Sequence, residues 1–243
     1  MFALYKKEVS SYFKSPFAYI ISALFLLVFA LGFVNGISNM VTNVFKFSFA
    51  EIFYNNYFYF IFMIPLMTMR TFAEERKSHT ETLWLSAPIT ITKVVLAKYL
   101  AVATVFFVMM VMSLFFPLVV ALKGTVILSG LFCGYVGFFL WGMVCIAIGV
   151  MISALCDNPI LAAVLGEAAM ILVIFLDLFT DSQLITSIPF LHSIFDFFSA
   201  KSRFTIFAQG LFGISDLVFF VSLTAVFVIW TIIIVEKRRQ SRA

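Results

Sequence analysis

Residues Val126 to Leu155 read VILSGLFCGYVGFFLWGMVCIAIGVMISAL and contain no charged side chain. A helix rises ~1.5 Å per residue, so about 20 apolar residues cross the ~30 Å of a bilayer's hydrocarbon, and this stretch is long enough to span one. Outward from it, further apolar runs lie at about 17–37, 52–69, 94–122, 160–178 and 217–235. The sequence therefore predicts an all-α integral membrane protein with six transmembrane helices, built as a single domain over residues 1–243.

Composition points the same way. Apolar residues make up 63% of the chain and charged ones 12%, with a mean hydropathy of +1.12. Soluble domains carry roughly 45–50% and about 25%, so this chain lacks the polar surface to face water all round. The spans use most of the length and leave no room for a soluble catalytic domain. The formal charge of +4 comes from lysines and arginines that flank apolar runs and form no stripe, which excludes nucleic acid as a partner. Cys133 and Cys145 lie in one apolar run and Cys156 follows it, without the spacing of a metal or disulfide framework; they read as packing residues.

Residues 1–16 place Phe2, Leu4, Tyr5, Val9, Tyr12 and Phe13 among lysines and serines near the helical period. This predicts an interfacial helix, ended at Ser15-Pro16. A basic start followed by an apolar run is also the form of a signal peptide, but this run is too long and no small-x-small site follows it, so a retained span is expected. Six spans put both termini on one side. Twelve of the Lys and Arg residues flank spans on that side, within residues 1–16, 70–98 and 236–243, and Lys46, Lys123, Lys201 and Arg203 lie on the other. Positive charge collects in the cytoplasm, so both termini are expected there, in the inner (plasma) membrane.

Two segments differ from ordinary loops. In residues 70–93, Thr71 with Glu74 and Ser78 with Glu81 match the capping box and predict two short helices, the second carrying Leu83, Trp84 and Leu85 and stopping before Pro88. An exposed apolar face there suits docking into a soluble partner or anchoring at the membrane surface. Residues 179–216 are too apolar for a loop; Leu184–Phe198 and Phe204–Ile214 are shorter than a span and read as two re-entrant helices or as helices lying flat outside. Gly130 and Gly134 form a small-xxx-small pair that permits close helix approach, or are scattered membrane glycines. Glu167, inside the fifth span, lines a transport path or is a hydrogen-bonded structural carboxylate; Asp177 lies about 80° away round the helix and forms no paired site with it.

No GxxxxGK[ST], HExxH or GxSxG occurs, so no catalytic residue and no ATP hydrolysis is assigned to this chain. Pro65-Leu66-Met67-Thr68-Met69-Arg70, Glu74-Glu75-Arg76-Lys77, Thr80-Glu81-Thr82-Leu83, Ala87-Pro88-Ile89 and Lys98-Tyr99-Leu100 resemble the membrane subunits of type-2 ABC exporters. Within that class they are most similar to the gliding-motility-type (GldF-like) branch. Phe204, Phe207, Gly210, Asp216 and Lys237-Arg238-Arg239 form a second match, and Lys6-Lys7-Glu8 with Ser15-Pro16-Phe17-Ala18-Tyr19 a third. Thr80 stands where glycine is common in the class.

The resemblance implies a permease with a cytoplasmic coupling helix between spans two and three and two re-entrant helices before the last span. It implies pairing with a second permease subunit, as homodimer or heterodimer, and with two copies of an ABC ATPase that binds the ATP and Mg; the chain itself holds no cofactor and no metal. Arg70, Glu74, Glu75, Arg76, Glu81, Leu83 and Trp84 become the expected coupling residues, and Glu167 the expected path residue. A membrane scaffold of a surface or gliding machine, or an ATP-independent channel or carrier, remain the alternatives. The 33 phenylalanines fit an amphipathic cargo or simple packing against lipid.

Overall fold

The computed structural model describes residues 1–42, 52, 59–85, 89–123, 128–180, 203, 204, 206, 207 and 210–242. Among these every regular element is an α-helix: α1 (Phe2–Lys14), α2 (Pro16–Thr42), α3 (Phe60–Thr68), α4 (Ala73–Lys77), α5 (Thr82–Leu85), α6 (Ile91–Ser113), α7 (Phe115–Lys123), α8 (Leu128–Leu155), α9 (Pro159–Thr180) and α10 (Ile214–Arg242). Four stretches are long and apolar enough to cross a membrane, at Pro16–Asn35, Ile91–Leu122, Leu128–Leu155 and Ile214–Gln240, and Pro159–Val173 is a shorter apolar helix. Most of the expected span at 52–69 before Tyr59 and the expected re-entrant piece Leu184–Phe198 lie outside the described residues.

Local chemistry sets the helix ends. Ser15 leaves α1 in an extended conformation, as a residue before proline must, and then caps α2: its Oγ accepts the Phe17 N–H at 3.3 Å, with Pro16 in the first helical position. Asn158 and Pro159 repeat the device at α9, where Asn158 Oδ1 accepts the Ile160 N–H at 3.0 Å. The span expected unbroken over 94–122 is interrupted at Leu114. Pro117 has no N–H for the Ser113 carbonyl and its ring collides with that group, so α6 stops at Ser113 and α7 begins at Phe115.

Helix α8 is the centre. In its most apolar window 72% of residues are buried, against 22–33% in the other three long helices. Gly137, Gly142 and Gly149 leave no room for a methyl group, because Phe207, Phe106 and Thr68 lie directly on them. On α9, Gly166 similarly admits Pro65 of α3. Gly130 has open space of its own, yet it receives the backbone of Gly210, whose φ of +82° suits glycine; a methyl on Gly210 would stand 3.0 Å from the Gly130 Cα. Gly130 therefore seats the segment before α10.

A phenylalanine cluster fills the middle, with Phe60 and Phe138 centroids 4.5 Å apart and Phe25, Phe29 and Phe106 around them. Phe107, Phe115, Phe132 and Phe175 are exposed instead. At the end of the bundle remote from α4, an apolar cleft of about 600 Å³ lies between α6 and α8, lined by Met110, Leu114, Leu131, Phe132, Tyr135 and Phe139.

Candidate functional site

The stretch from Arg70 to Leu85 caps one end of the bundle. Its helices have only 5 and 4 residues. Helices that short do not hold themselves in water, so their shape must come from contacts elsewhere. The hydroxyls expected to cap are used otherwise: Thr71 Oγ1 donates to the Thr68 carbonyl and Ser78 Oγ to that of Glu74, while the Ser78 and Glu81 backbone N–H groups go to the Glu74 and Glu75 carbonyls. Arginines compete successfully for both carboxylates. Arg70 Nε meets Glu74 Oε2 at 3.2 Å, one turn away, and Arg76 Nε meets Glu81 Oε2 at 3.3 Å. The cap comes from α8 instead, where Ser153 Oγ accepts the Phe72 and Ala73 N–H groups at 3.1 and 3.2 Å and donates to the Met69 carbonyl.

Two ionic clusters root the stretch. In the first, Lys98 of α6 is 1% exposed, with Nζ 2.9 Å from Glu75 Oε1 and 3.3 Å from Glu8 Oε1 of α1. The Phe72 ring lies beneath the ammonium at 5.3 Å, and the Trp84 indole N–H donates to Glu75 Oε2 at 2.9 Å. In the second, Arg76 is 6% exposed and donates from Nη1 to the Cys156 carbonyl at 2.7 Å. The same nitrogen lies 3.8 Å from Asp157 Oδ1, which accepts from Arg238 Nη1 at 2.7 Å. Arg239 Nη1 donates to the Ile89 carbonyl at 3.2 Å. Burial lowers the Arg76 guanidinium, Arg238 lowers it further, and Glu81 and Asp157 oppose them. Burial also raises the Cys156 thiol and, with Glu8 nearby, the Tyr12 phenol, which donates to the Met67 carbonyl at 2.9 Å.

Trp84 corrects the expectation of an outward aromatic face. It is 7% exposed and meets Phe72 edge to face, centroids 6.1 Å apart. The Leu83 side chain lies outside the described residues. Among the described side chains of this stretch, those most exposed are polar: Glu74, Lys77, Ser78, His79, Thr80 and Thr82, with Glu75, Arg76 and Glu81 beneath them. His79 has φ +55°, the sole positive value among described residues other than glycine. Between α1 and this stretch a polar cavity of about 340 Å³ is lined by Glu8, Tyr12, Ser15, Arg70, Glu74 and Glu75.

The structure thus brings six of the seven coupling candidates together with described side chains and adds Glu8, Lys98, Ser153, Asp157 and Arg238. The added residues lie far away in sequence, and spacing gives no sign that they meet here; Lys98, Glu8 and Arg238 entered within the family-like motifs, and Lys98 and Arg238 also as positive charges flanking a span. Glu167 stands apart, half-buried on α9, and the Asp177 side chain lies outside the described residues.

Residues 36–236 match the family described as ABC-2 family transporter protein, and since that covers more than half of the chain, the chain belongs to this family. No curated protein matches it. Membership points to the membrane subunit of an ABC transporter, a multi-pass membrane protein, and implies association with an ABC ATPase.

Proposed function

We propose that this permease is the membrane half of an ATP-driven exporter of the gliding-motility-type branch, with six spans, both termini cytoplasmic and two permease subunits working with two ATPase subunits. Residues 70–85 are the coupling segment. The observation that carries this reading is a thin polar surface, too short to fold alone, fixed to α1 and α6 by the buried Lys98 ion pairs, to α8 by the Ser153 hydroxyl, and to α10 through the exposed carboxylate of Asp157. Such a surface moves only by moving what it is tied to. Glu74, with its neighbours Lys77 and His79, touches the ATPase, while Arg70, Glu75, Arg76, Glu81 and Trp84 form the frame and Leu83 completes the segment. ATP binding in the partner shifts this segment, and the bundle follows as packed helices switching between two arrangements. Glu167 lies on the path that opens.

The test is capture of an ABC ATPase from native membranes by the tagged permease. Glu74→Arg should lower the captured amount about ten-fold, as loss of an interface anchor does, at unchanged permease level. Equal capture by the variant and its parent would remove the coupling role. Glu167→Gln should capture ATPase like the parent and still fail to complement a deletion strain; full complementation returns Glu167 to a structural part.

A further inference from the structure

Helix α10 is pinned by ion pairs at both ends. In its first turn, Asp216 Oδ1 accepts from Arg203 Nη1 at 2.9 Å, with both side chains largely buried and the guanidinium 4.2 Å over the Phe219 ring. Arg203 belongs to the segment whose Phe204 and Phe207 are completely buried, Phe207 against Gly137 of α8 and 6.2 Å from the Phe220 ring of α10. Gly210, a few residues on, rests on Gly130. Near its other end, about 33 Å away at ~1.5 Å per residue, Arg238 makes a more exposed contact, holding Asp157, whose side chain is 76% exposed, at 2.7 Å and the Leu155 carbonyl at 2.9 Å. Asp157 is the same carboxylate that faces Arg76 at the root of residues 70–85.

Between these ends α10 contains neither proline nor glycine, the usual sites of helix bending. The contrast is local: α3 carries Pro65, α6 breaks before Pro117, and α8 is thinned by glycines. A stiff helix tied at one end to the coupling segment and at the other to a buried aromatic segment transmits displacement from one to the other. We infer that α10 is a rod that carries motion of residues 70–85 across the bundle to the segment of Arg203, Phe204 and Phe207, with Asp157 and Asp216 as positioning residues. This rests on the coupling role proposed above. Asp157 and Arg238 couple the near end, and Asp216 and Arg203 the far one.

The experiment uses the full permease with its ATPase in nanodiscs. An environment-sensitive fluorophore sits at Leu211→Cys in a background without other cysteines, and emission is compared before and after trapping with ATP and vanadate. The parent should respond. Asp216→Asn should cut the response about five-fold or more, in the range of ordinary coupling between sites, while ATP hydrolysis continues. The exchanged pair Arg203→Asp with Asp216→Arg should restore it. A response in Asp216→Asn equal to the parent's overturns the inference. So does a response lost from the single and exchanged variants alike, since the two residues would then hold the fold and transmit nothing. A parent that hydrolyses ATP without any response at Leu211 also overturns it, and leaves the coupling role standing. A permease that captures no ATPase overturns the coupling role first and the rod with it.

Discussion

Lys98 sits in the first half of an apolar helix with its ammonium out of water, a position tolerated because two carboxylates and an aromatic face meet it. Removing one partner from such a buried group leaves the others stranded. Lys98→Met should therefore destabilise the protein by about 3 kcal/mol, with Glu8→Gln nearer ~1 kcal/mol because Glu75 remains. Thermal unfolding in detergent should rank the three proteins in that order, and a Lys98→Met variant as stable as the parent would contradict the pairing. Ser153→Ala removes the acceptor for two N–H groups at the start of α4 and should cost ~1–2 kcal/mol, seen as faster proteolysis within residues 70–85. His79 occupies backbone space that costs an L-residue about 1 kcal/mol or more, so His79→Gly should raise the melting temperature slightly. None of these contacts was legible in the sequence. Glu8 and Lys98 lie 90 residues apart in the chain, and only the fold brings them together.

At the level of elements, the short helices at 73–77 and 82–85 were legible from the two capping-box patterns and from Pro88, although the hydroxyls of those patterns bond elsewhere. Their surroundings were not. The motif Thr71-x-x-Glu74 is a local preference worth about 1 kcal/mol, and it gives way because Ser153 of α8 takes the Phe72 and Ala73 N–H groups, leaving Glu74 to Arg70. Trp84 follows the same logic: an indole N–H within reach of a carboxylate, and an apolar body beside Phe72, favour the inside. Trp84→Ala should lower stability by about 3 kcal/mol, so its loss of ATPase capture will track loss of folded protein. Capture reduced while the melting temperature holds would place Trp84 at the interface itself. The α6 break was present in the letters as Pro117, but a continuous apolar run masked it, since hydropathy is blind to a missing N–H.

For the whole molecule, apolar length and charge asymmetry carried the all-helical membrane architecture, and these are global averages that survive ignorance of contacts. They also carry a prediction about orientation. In a cysteine-free background, Ser129→Cys should react with an impermeant thiol reagent on intact cells and Ser78→Cys should not; the reverse pattern would invert the topology and remove the coupling surface from the cytoplasm. The apolar cleft between α6 and α8 has a practical consequence. Its described walls are hydrocarbon, and an apolar groove of that size suits the acyl or detergent tails that surround the protein. The solvent is then part of the packing. Short-chain detergents, which fill the groove poorly, should shorten the lifetime of the purified permease, and added phospholipid should lengthen it. Extraction chemistry becomes a structural variable for this protein, on a par with a core substitution.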